Sequence, residues 1–132
     1  DIGKNEGGSI HQSSCKLPEK GYWYAPTLFT DVSQSHRIVQ EEIFGPVLAI
    51  QTFRTVDEVI TKANNIPYGL SGGVWTDKGA KIFQVSKAIR AGVLWANTFN
   101  KFDPTSPFGG YKESGMGREG GLEGLMPYVH LV

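Results

Sequence analysis

The sequence predicts an α/β fold, on three short apolar runs separated by two segments of helical periodicity. Predicted strands lie near 47–53, 72–76 and 93–97, and predicted helices lie near 56–65 and 78–91. Strands that alternate with helices are typical of parallel sheets joined by helical crossovers. We therefore expect a parallel β-α-β-α-β core.

The first strand and helix have clear local signals. The apolar run 47–53 (VLAIQTF) is typical of a buried strand. Thr55 and Glu58 have the spacing of a capping box, in which the hydroxyl accepts from the backbone N–H of Glu58. Apolar residues follow at helical spacing, and Pro67 lies just beyond the predicted end of the helix.

The second strand and helix are bounded by turn residues. Residues 72–76 (GGVWT) predict a short strand, and Asp77 is placed to cap the helix that follows. Gly92 is expected to stop this helix at the position after its C-cap. The apolar run that begins at Val93 then predicts the third strand.

The flanking segments are less regular. Residues 1–20 are polar and predict a loop, whereas 21–32 are β-prone, with Pro26 favouring an edge or irregular strand. Residues 97–121 are rich in Gly, Pro and aromatic residues without periodicity, and long loops of this kind are usually functional or disordered. Residues 122–132 predict a short helix followed by an extended end.

Length and charge exclude several classes of protein. The 132 residues suit one domain, and 13 basic residues balance 13 acidic ones. This balance argues against nucleic-acid and polybasic membrane-surface partners. No apolar run approaches the roughly 20 residues of a membrane span, and the start lacks the cationic and apolar pattern of a signal peptide. A single cysteine, Cys15, excludes a disulfide scaffold and favours a cytoplasmic setting.

The segment Glu41–Val47 (EEIFGPV) carries the strongest chemical signal. Two carboxylates precede an aromatic residue, a Gly-Pro turn and the first predicted strand. A carboxylate can accept two hydrogen bonds from a sugar diol, and Phe44 would lie on the same face as Glu42 if the chain is extended. The segment could therefore hold a nucleoside. The alternative is a solvated pair of acids before a core strand.

Residues 115–120 match the pattern G-x-G-x-x-G, but we reject a dinucleotide-binding fingerprint there. No predicted strand leads into the segment, and too few residues follow for the acidic partner about 20 positions on. A glycine-rich turn that lets backbone pass close to backbone is the better interpretation. Arg118 and Glu119 are expected to form an ion-paired structural element.

Other reactive residue types give no catalytic pattern. A reactive cysteine needs an electropositive and partly ordered setting, and Cys15 lies in a polar loop, so it is not the expected catalytic thiol. His36 and His130 have no partners at metal-ligand spacing, and we predict no metal site. The tryptophans are expected in the core or at an interface; they are Trp23, Trp75 and Trp95.

Three long motifs in a fixed order resemble the C-terminal part of the catalytic domain of the aldehyde dehydrogenase superfamily. They are EEIFGPV (41–47), ANNIPYGL (63–70) and SPFGGYKESGMGREGG (106–121). GYWYAPTLF (21–29) and AGVLWANTFNKFDP (91–104) fit the same family. The resemblance implies oxidation of an aldehyde to a carboxylic acid with NAD or NADP.

The resemblance also implies roles for individual residues. Glu42 matches the glutamate that holds the nicotinamide ribose, Phe44 the aromatic residue beside the nicotinamide, and Leu70 a residue that lines the same site. Phe102 and Phe108 match aromatic positions of the substrate tunnel.

The end of the chain has implied roles as well. Arg118 and Glu119 match a buried pair, of which the glutamate is implicated in proton movement in some members. Residues 1–126 would belong to the catalytic domain and 127–132 to the start of a C-terminal strand that joins a neighbouring subunit. A homo-oligomer would follow.

The family's nucleophile segment, Gly-Gln-x-Cys, its general base and its Rossmann domain have no match here. We therefore expect the isolated chain to be inactive. Two other interpretations remain open: a non-catalytic oligomerisation module of a dehydrogenase-like protein, and a free-standing nucleotide-binding domain.

Overall fold

The computed structural model describes residues 1–130 and divides the chain into two compact units, one from Asp1 to Arg54 and one that begins at Thr55. No helix among the described residues is long and apolar enough to cross a bilayer.

The first unit is built around a three-stranded sheet. Its elements are α1 (Ile2–Asn5), β1 (Ser9–Gln12), β2 (Thr27–Thr30), α2 (Arg37–Gln40) and β3 (Val47–Ala49). The strand order is β1-β2-β3, with β1 antiparallel and β3 parallel to the central β2. Both helices are single turns.

The centre of this unit is β2 and the residues just before it. Ala25, Thr27 and Phe29 are all buried. The Thr27 hydroxyl donates to the Ala25 carbonyl at 2.8 Å and accepts from Gln12 Nε2 at 3.0 Å, so this buried polar group is satisfied. A Cβ on Gly3 would lie 3.0 Å from the Phe29 ring, which explains a glycine in the turn that covers it.

Two predictions for this unit are wrong. Residues 1–20 contain α1 and β1 in addition to loop, and β2 is central, not at an edge. Pro26 does not interrupt the sheet, because the ladder begins at the next residue, whose N–H donates to the Pro46 carbonyl at 2.9 Å. The strand predicted over 47–53 is shorter, Val47–Ala49.

The second unit carries the helices and two small sheets. Its elements are α3 (Val56–Asn64), β4 (Tyr68–Gly69), β5 (Ser71–Val74), α4 (Gly79–Ala88), β6 (Val93–Ala96), β7 (Tyr111–Lys112), α5 (Gly121–Leu125) and a 3₁₀ turn (Met126–Tyr128). β5 and β6 pair in parallel across α4, and β4 pairs antiparallel with β7.

The predicted Thr55 cap is confirmed, since its hydroxyl accepts from the Glu58 N–H at 3.1 Å. The predicted Asp77 cap is wrong: Lys78 is the N-cap residue of α4, and its side chain makes no capping bond. Gly92 is not the helix stop either, because α4 already ends at Ala88.

The predicted single parallel core is correct only in part. The β5-α4-β6 portion is present, but β3 pairs with β2 in the first unit and not with β5 or β6. The pattern of alternating elements identified the strands, whereas their partners depend on contacts far apart in the sequence.

The strand β6 ends in a left-handed residue that redirects the chain. Asn97 has φ 54°, and its side chain bonds both backbone groups of Thr76, with Oδ1 accepting at 2.8 Å and Nδ2 donating at 3.0 Å. Asparagine tolerates this conformation better than most residues. The backbone is therefore fixed at Asn97, where the long loop predicted over 97–121 begins.

The C-terminal segment agrees with a short helix followed by extended chain. Val129 is extended after the 3₁₀ turn that contains Pro127. The described residues hold no strand after β7, and the rest of the predicted oligomerisation strand, residues 131–132, lies outside the described residues. The proposed boundary at 126/127 stays a prediction.

Gly92 is required by a close backbone approach. A Cβ there would collide with the backbone carbonyl of Gly109. We expect Gly92→Ala to lower the free energy of unfolding by about 3 kcal/mol, measured by urea denaturation. Gly79→Ala is the control, because a Cβ at this first residue of α4 meets nothing within 4 Å; we expect a gain of about 0.5 kcal/mol. Equal midpoints for the two variants would contradict the role of Gly92.

Candidate functional site

The connection between α2 and β3 lines a cleft of about 740 Å³ in the first unit. Its lining combines aromatic side chains with the adjacent carboxylates of Glu41 and Glu42, a third acidic residue (Asp1) and one guanidinium. The residues that matter here are Tyr22, Tyr24, Arg37, Glu41, Glu42 and Phe44. Tyr22 and Tyr24 were not predicted as site residues, although they lie in the aromatic stretch before β2.

Arg37 and Glu41 form a two-pronged ion pair at one side of this cleft. Arg37 Nε and Nη2 donate to the two carboxylate oxygens of Glu41 at 2.8 and 2.7 Å. The hydrogen bond and charge of Arg37 hold the pKa of Glu41 below its usual value, and Glu41 raises the pKa of Arg37. Glu6 Oε2 also accepts from the Arg37 backbone N–H at 2.9 Å, which fixes the start of α2. Both oxygens of Glu41 are thus bound to Arg37.

Glu42 differs from its neighbour in having no such partner. Its carboxylate is exposed and makes no hydrogen bond or ion pair with the described residues. Both oxygens are therefore available to accept hydrogen bonds from a ligand in the cleft. The role of Glu42 as a ligand-binding residue stays a prediction.

Phe44 lies in the cleft with 94% of its full accessibility, and among the large hydrophobic residues of the lining only Tyr22 is more exposed. Glu41, the C-cap residue of α2, is extended (φ −108°, ψ 138°), and the shared face of Glu42 and Phe44 stays a prediction. A Cβ on Gly45 would meet nothing within 4 Å, so the turn after Phe44 is open. A ring with this exposure offers a flat apolar face to a planar ligand.

A chain of aromatic contacts occupies the second unit. Trp95 contacts Phe99 and Phe102 edge-on, with ring centroids 5.0 and 5.5 Å apart. Phe102 in turn contacts Phe108 at 5.0 Å, with the rings 84° apart. The predicted tunnel residues Phe102 and Phe108 are therefore in mutual contact. Phe102 is 56% exposed, so one side of the cluster is open.

Leu70 lies between β4 and β5 with 43% of its surface exposed. Its carbonyl accepts from the backbone N–H groups of Gly92 and Val93 at 3.1 and 3.2 Å. The backbone at Leu70 is thereby fixed while its side chain stays accessible.

The predicted ion pair between Arg118 and Glu119 is wrong. Arg118 Nη1 donates to the carbonyls of Gly110 and Gly117, both at 2.8 Å, and the guanidinium lies 5.3 Å from the Tyr111 ring centroid. Glu119 is exposed rather than buried. The guanidinium of Arg118 finds two carbonyl acceptors in the backbone of the turn, so it needs no carboxylate partner. Arg118 therefore binds the turn without an ion pair to Glu119.

The glycine-rich segment 115–120 is a turn, as predicted. Gly115 and Gly120 have φ values of 105° and 72°, which glycine adopts without strain. Phe108 and Glu119 exchange two backbone hydrogen bonds of 2.7 and 2.8 Å across it. The turn therefore anchors the backbone of Phe108.

The remaining candidates show no catalytic arrangement. Cys15 is exposed, and His11 Nε2 lies 3.0 Å from the Thr30 hydroxyl, in the strand pair β1–β2. No group of metal-ligating side chains occurs among residues 1–130.

The ion pair of Arg37 is the main feature that sequence analysis missed. Its spacing to Glu41 is i, i+4, which is a known helix-pair signal. The aromatic cluster gave no such signal, because its residues follow no helical or strand period.

Comparisons with known proteins agree with the resemblance. The family model described as aldehyde dehydrogenase family matches residues 1–132. An aldehyde dehydrogenase of Enchytraeus buchholzi is 46% identical over 131 residues, which are 99% of this chain and 26% of the relative. A cytosolic aldehyde dehydrogenase 1 of Rattus norvegicus is 43% identical over 99% of this chain and 26% of its own length.

Solved structures of this family have a similar fold. The NAD+ complex of a Bacillus cereus aldehyde dehydrogenase matches with a TM-score of 0.90 at 46% identity, over 96% of this chain and 26% of that one. An indole-3-acetaldehyde dehydrogenase with NAD+ matches with a TM-score of 0.90 at 40% identity, with the same coverage. The chain thus spans about a quarter of the length of the relatives it matches.

The ion pair predicts a specific pH response. Because the pKa of Glu41 is lowered, the pair stabilises α2 at neutral pH and is lost as the pH falls through that lowered pKa. We expect Arg37→Gln to move the titration midpoint of Glu41 upward, measured by NMR of its side-chain carboxyl carbon. Arg90→Gln, an exposed arginine of the second unit, is the control and leaves the midpoint unchanged. If Arg37→Gln left the titration midpoint of Glu41 unchanged, the ion pair between the two side chains would be contradicted.

Proposed function

Because the chain belongs to the aldehyde dehydrogenase family, we propose that it contributes the nicotinamide-ribose contact and part of the substrate passage to an NAD-dependent aldehyde dehydrogenase. The observation that carries the proposal is the unpartnered carboxylate of Glu42 in a cleft that also holds the exposed ring of Phe44.

The proposed role of Glu42 is to hold the nicotinamide ribose. Each of its carboxylate oxygens can accept a hydrogen bond from one hydroxyl of a ribose diol. Each oxygen of Glu41 already accepts one hydrogen bond from Arg37, so Glu41 has less accepting capacity left for a ribose diol than Glu42. When bound, NAD supplies the hydride acceptor; Glu42 fixes the ribose next to it, and Phe44 limits where the attached ring can lie. Positioning of this kind lowers the entropic part of the barrier.

NAD is the proposed cofactor. Structures similar to this chain are complexes with NAD+, at sequence identities of 40 and 46%. The residues described here bind the part of the cofactor that NAD and NADP share. NADP is therefore the alternative, and it is tested in the same titrations.

The proposed substrate is an aldehyde, and its proposed contacts are apolar. Phe102, exposed beside Phe108, offers apolar surface for the aldehyde side chain, and Leu70 is the proposed lining residue near the nicotinamide. One related structure is described as an indole-3-acetaldehyde dehydrogenase of P. syringae in complex with NAD+ and IAA, at 40% identity. Glu119 is exposed, which suits the proton-exchange role that family resemblance implies for it.

We propose that the nucleophile and the general base lie in other parts of a polypeptide as long as the relatives that this chain matches. Among the described residues, three apolar side chains are buried, namely Ala25, Phe29 and Trp95. Many large apolar side chains are exposed instead. Faces of this kind suit a chain that packs against further protein.

Subunit contact is a second proposed role for the C-terminal segment. Leu122, Leu125 and Tyr128 are exposed by 69, 52 and 86%, and large apolar residues clustered this way favour a protein interface. We propose a homo-oligomer for the whole enzyme and, from the name of the rat relative, a cytoplasmic location.

Replacement of Glu42 tests the cofactor role. In the complete enzyme we expect Glu42→Gln to raise the Kd for NAD or slow hydride transfer by about tenfold or more, because a hydrogen bond to a charged group is worth about 1.5–3 kcal/mol. Binding is measured by titration of NAD and hydride transfer by single-turnover formation of NADH. Glu19→Gln, an exposed glutamate in the loop after β1, is the control. Unchanged binding together with unchanged hydride transfer would remove Glu42 from the site.

The source of the nucleophile has its own test. We expect the purified 132-residue chain to form no NADH from aldehyde and NAD, because its single thiol lies in an exposed loop and has no activating partner among residues 1–130. NADH formation that disappears in Cys15→Ala would contradict this expectation.

A further inference from the structure

We propose that Trp95 is the positioning residue that sets the size preference for the aldehyde, by holding Phe102 against Phe108. The inference rests on the proposed function, in which Phe102 and Phe108 line the substrate passage. Trp95 itself need not touch the substrate, because it is 7% exposed.

Trp95 holds Phe102 in two independent ways. Its indole Nε1–H donates to the Lys101 carbonyl at 2.8 Å, which fixes the backbone directly before Phe102. Its ring contacts the Phe102 ring edge-on, with centroids 5.5 Å apart and planes 86° apart. One buried side chain therefore determines both the position and the orientation of an exposed one.

Phe102 depends on this support because it lies outside regular secondary structure. Residues 101–103 belong to no helix or strand. Phe108 is held differently, by the backbone hydrogen bonds that it shares with Glu119. Loss of Trp95 would therefore release Phe102 and leave Phe108 in place.

Trp95 is suited to this role because its own position is fixed. It lies within β6, paired with Gly73 of β5. Phe99 contacts its ring from a second direction at 5.0 Å. Side chains held by a sheet and by buried contacts keep one rotamer, which is what a residue that positions another one requires.

The test compares kcat/KM of the complete enzyme for propionaldehyde and for benzaldehyde. We expect Trp95→Leu to change the ratio of the two values by about tenfold, mainly through KM of the aldehyde, which is the scale of discrimination for small changes in an apolar pocket. The Kd for NAD stays unchanged. Trp75→Leu is the matched control, since Trp75 is 62% exposed and follows β5; it leaves the ratio unchanged.

A second variant covers the case in which Trp95→Leu does not yield folded enzyme. Trp95→Phe keeps a ring and removes the bond to the Lys101 carbonyl, so it shifts the ratio in the same direction by less. A folded Trp95 variant with the wild-type ratio would overturn the proposal.

Phe102→Leu separates this proposal from the proposed function. If Phe102→Leu and Phe108→Leu both leave the ratio unchanged, the aromatic pair does not line the passage, and the proposed function fails at that point. If Phe102→Leu changes the ratio but both Trp95 variants keep the wild-type ratio, Phe102 lines the substrate passage and the positioning role of Trp95 is wrong. Equal, non-additive effects of Trp95→Leu and Phe102→Leu in the double variant support the proposal.

Discussion

The ion pair between Arg37 and Glu41 is the constraint on which the candidate site depends. Two adjacent glutamates have similar chemistry, and the guanidinium makes them different by binding both oxygens of the first. Glu42 is left free beside an exposed Phe44. An ion pair at the surface contributes little to stability. The ion pair instead distinguishes the two glutamates: it occupies Glu41, leaves the carboxylate of Glu42 for a ligand, and fixes the backbone just before Glu42.

The predicted local elements are mostly correct, and β5 pairs with β6 as expected, whereas β3 pairs with β2 instead. Thr55 begins its helix because its hydroxyl accepts from an N–H three residues ahead, and this signal lies within four residues of sequence. The pairing of β3 with β2 joins Val47 to Thr27, twenty positions away, and no local pattern encodes it. The same limit explains Gly92, whose role is set by the backbone at Gly109 and not by the helix before it.

Candidate site residues that lie close together in the sequence could be predicted, whereas contacts between distant residues could not. Glu42 and Phe44 are two residues apart and are both exposed in one cleft, as a short motif can indicate. Trp95 was predicted only as a core or interface residue, because its contact with Phe102 depends on the path of an irregular loop. Arg118 was assigned the wrong partner, since the carbonyls that it binds come from a turn whose shape the sequence does not specify.

The most direct measurement is a crystal structure of the complete enzyme with NAD. We expect both oxygens of Glu42 to lie about 2.6–3.2 Å from the two hydroxyls of the nicotinamide ribose, while Arg37 remains bound to Glu41. A ribose bound by Glu41, or a Glu42 carboxylate bound to a cation elsewhere in the protein, would contradict the account that Glu42 binds the ribose while Glu41 binds Arg37.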